Sequence, residues 1–260
     1  MKSNLILLSI LCVSLFSCVK KDDPIDANAS SNAKVTFSNF VGSQPLTLQT
    51  KWYNNANGDS FKVNVYKYYI TNVKLVKSDA SVYAENESYH LINEADVNSH
   101  SFVMANVPEG SYTSISFLIG VDSARNTSGA QTGALDPING MFWTWNSGYI
   151  MAKFEGVSPQ STSMDKSVVY HLGGFSGPNN VLRTVTLTFP TTMIVKKGTT
   201  PNVHIDGDVA EWFSFPNVID FAQKPLLMTP GKDLVNIAEN YKDAVAECID
   251  FERELRSNGF

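Results

Sequence analysis

The chain has 260 residues, 20 Lys and Arg against 25 Asp and Glu, and a formal net charge of −5. A mildly acidic protein with no basic stripe or arginine-rich run is a poor nucleic-acid binder. Its three cysteines, Cys12, Cys18 and Cys248, are too few and too far apart for a disulfide framework or a thiolate zinc site.

Lys2 followed by a mostly apolar run from Leu5 to Phe16 reads as a secretion signal over residues 1–17, too short to span a bilayer. Leu15-Phe16-Ser17-Cys18 resembles a bacterial lipobox, which makes Cys18 the lipidated first residue of a mature chain held to the outer membrane, on its inner or surface face. The alternative is an ordinary cleaved signal with an incidental cysteine. Loss of the signal removes Lys2 alone, so the mature balance is 19 − 25 = −6. Cys12 leaves with the signal and Cys18 carries lipid, so no intramolecular disulfide is available and the core must hold the fold. Residues 18–33, rich in Asp, Asn, Ser and Ala, form a tether. Lys20-Lys21-Asp22-Asp23 suits either a surface-export signal or a solvated linker.

From Lys34 onward, apolar and polar residues alternate with the two-residue period of strands: Val35 and Phe37, then Phe61, Val63 and Val65. Asn54 to Asp59 is a turn, and Tyr66–Val76 is rich in β-branched and aromatic residues. Shorter strands are expected at Tyr89–Ile92, Ser101–Val107, Tyr112–Val121, Tyr149–Phe154, Ser167–Leu172, Arg183–Phe189, Thr191–Val195 and Val203–Val209. A helical pattern runs from about Asp233 to Leu255, marked by Ala238, Tyr241, Val245, Ile249 and Glu252. The expectation is one mainly β domain over residues 34–260: an antiparallel β-sandwich with long ordered loops and a C-terminal helix.

The longest irregular stretch lies between Phe117 and Gly156, and it is dense in aromatic residues, unlike disordered segments. It carries Trp143-Thr144-Trp145, whose indoles share a side if the segment is extended; packing is the commonest use of such residues. Asp122, Asn126 and Asp136 are hard oxygen donors that could serve calcium, although their spacing matches no EF-hand and such residues are ordinary in loops. Met141 and Met151 flank the tryptophans and offer thioethers, or fill gaps in a core. His171 stands at a strand end before Gly173-Gly174, where an imidazole can reach a sheet rim or be satisfied beside the core. His204 and His90 lie on strands, and His100 follows a polar turn. There is no Gly-x-Ser-x-Gly nucleophile elbow, His-Glu-x-x-His helix or phosphate loop, so hydrolase chemistry has no motif behind it.

The segments FLIGVD, N-x-x-G, GALDPINGMFWTWNSGYIMAKFEG and YHLGG together resemble the MbnP-like copper-binding proteins associated with methanobactin operons, over about Lys34 to Tyr241. The Trp-x-Trp-Asn-Ser-Gly-Tyr segment is the most specific part. The resemblance implies a secreted β-rich domain that binds copper and is not itself an enzyme. It further implies a partner, a di-haem peroxidase of the MbnH type, that oxidises Trp143 or Trp145 to kynurenine. The copper site would then draw on that residue and on histidines: His171 first, with His204 and His90 as candidates for a second ligand. Unlike some relatives, the chain has no histidine immediately beside the tryptophan pair. The rival expectation is a surface lipoprotein that keeps the sandwich for a structural or ligand-binding role without the metal.

Overall fold

A computed structural model describes residues 25–26, 28–143, 148–244 and 249–250. Cys18, Trp145, Asn146 and Cys248 lie outside the described residues, and with them the expected lipidation site and one of the two tryptophans of interest.

The alternating apolar residues become strands of two packed sheets. In chain order these are β1 (Ser30–Val41), β2 (Gln44–Pro45), β3 (Tyr53–Asn54), β4 (Ser60–Lys77), β5 (Val82–Ala84), β6 (Tyr89–Asn93), β7 (Ser101–Pro108) and β8 (Gly110–Ile119). The short helix α1 (Ser123–Asn126) follows, then β9 (Phe142–Trp143), β10 (Gly148–Val157), β11 (Ser167–Gly173), β12 (Arg183–Val195), β13 (Asn202–Asp208), β14 (Leu226–Leu227), helix α2 (Lys232–Ala244) and β15 (Ile249–Asp250). The larger sheet runs β12-β8-β4-β10-β11-β14, with β3, β5 and β6 on β4 and β9 on β10. The smaller runs β15-β13-β1-β2, with β7 also on β1.

The mainly β sandwich therefore stands, with two departures in direction: β1 runs parallel to β13, Val35 opposite Val203, and β11 runs parallel to β14. Two expected pairs of strands are single strands. The stretch from Phe61 to Val76 is one strand, β4, which absorbs an irregularity beside Asn72, whose φ is +54°. The stretch from Arg183 to Val195 is β12, with its irregularity between Thr188 and Met193, around Pro190. A proline lacks the N–H a regular ladder needs, which suits it to such a break.

Phe37, 1 % exposed, meets Phe117 and Tyr68 edge-on between the sheets. Under the other end, Phe61, Phe154, Phe213 and Phe221 form edge-to-face pairs with centroids 5.0–6.0 Å apart. Such pairs contribute roughly 0.5–1.5 kcal/mol each beyond area burial. Helix α2 buries Leu234, Ile237, Ala238 and Tyr241, the spacing of one helical face. The described helix runs to Ala244, and it does not reach the expected Leu255: Ile249 and Asp250 pair antiparallel with Ile205 and His204 at the edge of β13. An unpaired strand edge competes well for a β-branched residue that helical spacing alone would place on α2.

Candidate metal-binding cleft

The stretch from Gly120 to Trp143 is fastened at many points. Asp122 caps α1, accepting from the N–H groups of Ala124 at 3.0 Å and Arg125 at 3.2 Å, and the Tyr89 hydroxyl donates to it at 2.7 Å. Asn126 is buried; its Nδ2 donates to the carbonyls of Val121 and Asp122, and its Oδ1 accepts from Tyr149 N at 2.9 Å. Asp136 caps the turn at Pro137–Asn139 through Ile138 N at 2.9 Å. The turn closes on Gly140, whose φ of +69° favours a residue without a Cβ. Beneath it, Tyr69 and Tyr149 donate to the carbonyls of Ala134 and Leu135, Lys67 to Asn139 at 3.0 Å, and Lys153 to Gly140.

This bonding gives the calcium expectation no support. Asn126 has neither end free, and Asp122 and Asp136 serve as caps of separate turns. Among the described residues no group of three or more His, Cys, Asp or Glu is placed to hold a metal ion.

The loop's function is to carry β9 across the outer face of the larger sheet. Phe142 and Trp143 pair with Tyr149 and Gly148 of β10. Trp143 is 6 % exposed, and its indole lies on Gly173 so closely that a Cβ there would sit 2.0 Å from Trp143 Cζ3. The result is a cleft of about 470 Å³ lined by Phe142, Trp143, Lys153, His171, Met228 and Thr229, among others.

His171 stands opposite Lys153 of β10, and its Nε2 lies 2.8 Å from Glu155 Oε1. An ionised carboxylate only accepts, so Nε2 bears the hydrogen, and in the neutral ring the lone pair is then on Nδ1. This histidine–carboxylate pairing is the usual support of a metal-ligating imidazole. The hydrogen bond from His171 holds the Glu155 carboxyl below its ordinary range against partial burial, aided by the charges of Lys153 and Lys67 and by that of the imidazole when it is protonated.

The other histidines have partners elsewhere. His204, in the smaller sheet, puts Nε2 2.8 Å from Ser38 Oγ and 3.3 Å from Asp206 Oδ1. Both contacts fall on one nitrogen, so the group cannot pass a proton from serine while the acid orients the ring. His90 bonds Glu85 at 2.8 Å and stacks flat on Phe102, centroids 3.5 Å apart. His100 contacts Asn93 O at 3.2 Å. Of the expected metal residues, the fold brings together Trp143 and His171; neither His204 nor His90 lines the cleft. Met141 and Met151 are fully buried, and Met151 sulfur accepts from Val121 N at 3.2 Å, so both are core residues.

A family model for MbnP matches residues 30–230. The chain belongs to the MbnP family. Membership suggests a copper-related protein of the methanobactin-associated kind. Among solved structures it is similar to MbnP from Methylosinus trichosporium, with a TM-score of 0.52 at 14 % identity over 78 % of this chain and 83 % of that one, a likeness of fold. No curated protein matches it.

Sequence reasoning missed Glu155, Lys153, Gly173 and Met228. The alternation of Lys153 and Glu155 along β10 was a signal that both share a face with the strand-paired His171, but only the register shows which histidine they meet. Met228 lies after a two-residue strand that carries no readable period.

Proposed function

We propose that this MbnP-family protein is a copper carrier of the cell envelope, not itself an enzyme, and that it takes the metal in the cleft between Trp143 and His171. The observation that carries the reading is the convergence in one cleft of a nearly buried indole and an imidazole whose Nε2 is held by Glu155. Imidazole nitrogen suits copper, so the donor chemistry fits. The indole itself offers no σ-donor. Oxidative opening by a di-haem peroxidase of the MbnH type, with peroxide as oxidant and water releasing the excised ring carbon as formate, would convert it to a ketone and an aryl amine beside His171. The Cys18 anchor would hold the protein at the outer membrane, near the source of the metal.

Co-production with such a peroxidase and peptide mass spectrometry test this. Trp143 is expected to gain one oxygen and lose one carbon, and copper is expected to bind with His171 present and to be lost in His171→Ala. A peroxidase active on its other substrates that leaves Trp143 unchanged, together with copper-free protein, would favour the rival role of a metal-free binding or structural sandwich.

A further inference from the structure

We infer that the chain carries a second ligand site, a cavity at the C-terminal ends of β1 and β13 that takes a small organic amine: an ammonium group on an apolar body that also presents an acceptor oxygen. The cavity shares no lining residue with the cleft at Trp143 and stands whether or not copper binds there.

Alternation along β1 turns Phe37, Asn39 and Val41 inward and leaves Phe40 on the outer face, where the parallel register sets it opposite Asp208 of β13. Asp208 fixes the backbone on both sides, its carboxylate accepting from Gly42 N at 3.0 Å and Ala210 N at 2.8 Å. The cavity beside them measures about 460 Å³, within the roughly 300–1,000 Å³ of ordinary small-molecule sites. Phe40 and Phe215, the latter 71 % exposed, supply its apolar wall.

The charge around it has one sign. Asp206, Asp208, Glu211 and Asp243 line the cavity, and among the described residues no basic side chain does. Asp208 and Glu211 accept from neutral donors alone, the two N–H groups and the Ser214 hydroxyl. Burial, with Glu211 beside it, keeps the Asp208 carboxyl above its ordinary value in spite of those N–H groups. A carboxylate withdrawn from water without a countercharge is stabilised by a cation, and an aromatic wall attracts the same ion.

Gly207, Asp208 and Ala244 also border a narrow recess of about 10 Å³, room for a single polar atom, walled by Tyr66, Tyr68, Trp212 and Tyr241. Tyr66 is only 4 % exposed. Its hydroxyl takes the Trp212 indole N–H, burial holds its own proton on, and that proton meets no acceptor among the described residues. Tyr68 and Tyr241, by contrast, donate to Asn39 Oδ1 and the Val181 carbonyl. A buried donor left over at the back of a cavity points to an oxygen brought in by the occupant.

The test is calorimetric titration of the whole chain with three probes: tyramine, 2-phenylethylamine, which lacks the phenol oxygen, and tyrosol, which replaces the ammonium with a hydroxyl. Tyramine is expected to bind about tenfold more tightly than tyrosol, by a margin that shrinks as salt is raised. Glu211→Gln combined with Asp243→Asn is expected to weaken tyramine by about fivefold or more at an unchanged melting temperature, and Asp79→Asn, outside the lining, to change nothing. Tyr66→Phe is expected to abolish the advantage of tyramine over 2-phenylethylamine, about fivefold in the parent. Equal binding of tyramine and tyrosol, tyramine binding unaltered by the double variant, or no binding of any probe overturns the site. An advantage of tyramine that survives Tyr66→Phe overturns the oxygen contact. Binding that emerges only when Arg253 and Arg256 are both changed to Ala assigns the cavity to the chain's own C-terminal residues and overturns the amine proposal.

Discussion

Asn126 looks from its sequence position like a loop residue able to offer an oxygen to a cation, and the structure gives it a different task. Both ends of its buried side chain hold backbone, joining the start of α1 to the start of β10. Leaving those groups unsatisfied costs about 1–3 kcal/mol per group, so Asn126→Ala is expected to lower unfolding free energy by that order in denaturant titration. With Asn126 bonded at both ends and Asp122 and Asp136 capping separate turns, chelators are expected to leave the parent's melting temperature unmoved. Asp122 carries a pH signature. Burial pushes its carboxyl up, but hydrogen bonds from Tyr89, the Arg125 N–H, Asn72 and the Ala124 N–H outweigh this and leave it below its ordinary value. A depressed carboxyl stabilises the fold above its unfolded value, roughly 3.9, and that contribution is lost as pH falls through the folded value. Asp122→Asn is therefore less stable than the parent at neutral pH, and the gap in melting temperature is expected to narrow on acidification. A gap that widens in acid would contradict this assignment.

At the scale of elements, the cleft depends on how closely β9 lies over β11. Gly173 is the contact point, and Gly173→Ala forces the rigid indole of Trp143 to move. Overpacking of this kind costs about 1–3 kcal/mol, and the variant is expected to show a lower melting temperature together with slower or lost conversion of Trp143 by the peroxidase. Ordinary melting and conversion would mean that the indole does not sit against the strand at Gly173. The elements also show what was legible in the sequence. Period-two alternation revealed most strands, because each buries one face, and the helical face of α2 was visible through Ala238 and Tyr241. The direction of β1 against β13 was hidden, since a parallel pair brings together residues some 170 apart with the same alternation as an antiparallel one. The end of α2 was hidden because Ile249 fits a helical period as well as it fits the β13 edge. At the site, His171 stood out through the glycines after it, whereas Glu155 became its neighbour only through strand pairing and Met228 shares its cleft only in the folded chain.

The whole molecule is a sandwich whose larger sheet does two things at once. Its inner face closes the core through Phe154 and Tyr170, and its outer face displays Lys153, Glu155 and His171 beneath a loop clamped by tyrosines and lysines. The site is therefore built on strands, which hold ligands more rigidly than a free loop would. If the proposed anchor at Cys18 holds the protein to the membrane, Cys18→Ala is expected to move it from the membrane fraction to the soluble one, and a variant that stays at the membrane without lipid would contradict the anchor. The account's central claim concerns the cleft. Anomalous diffraction at the copper edge from crystals of the copper-loaded protein tests it most directly. The account predicts a single strong peak between His171 and Trp143, within bonding distance of His171 Nδ1. A peak at His204 or His90 with the cleft empty, or no peak from protein that carries opened Trp143, would contradict it.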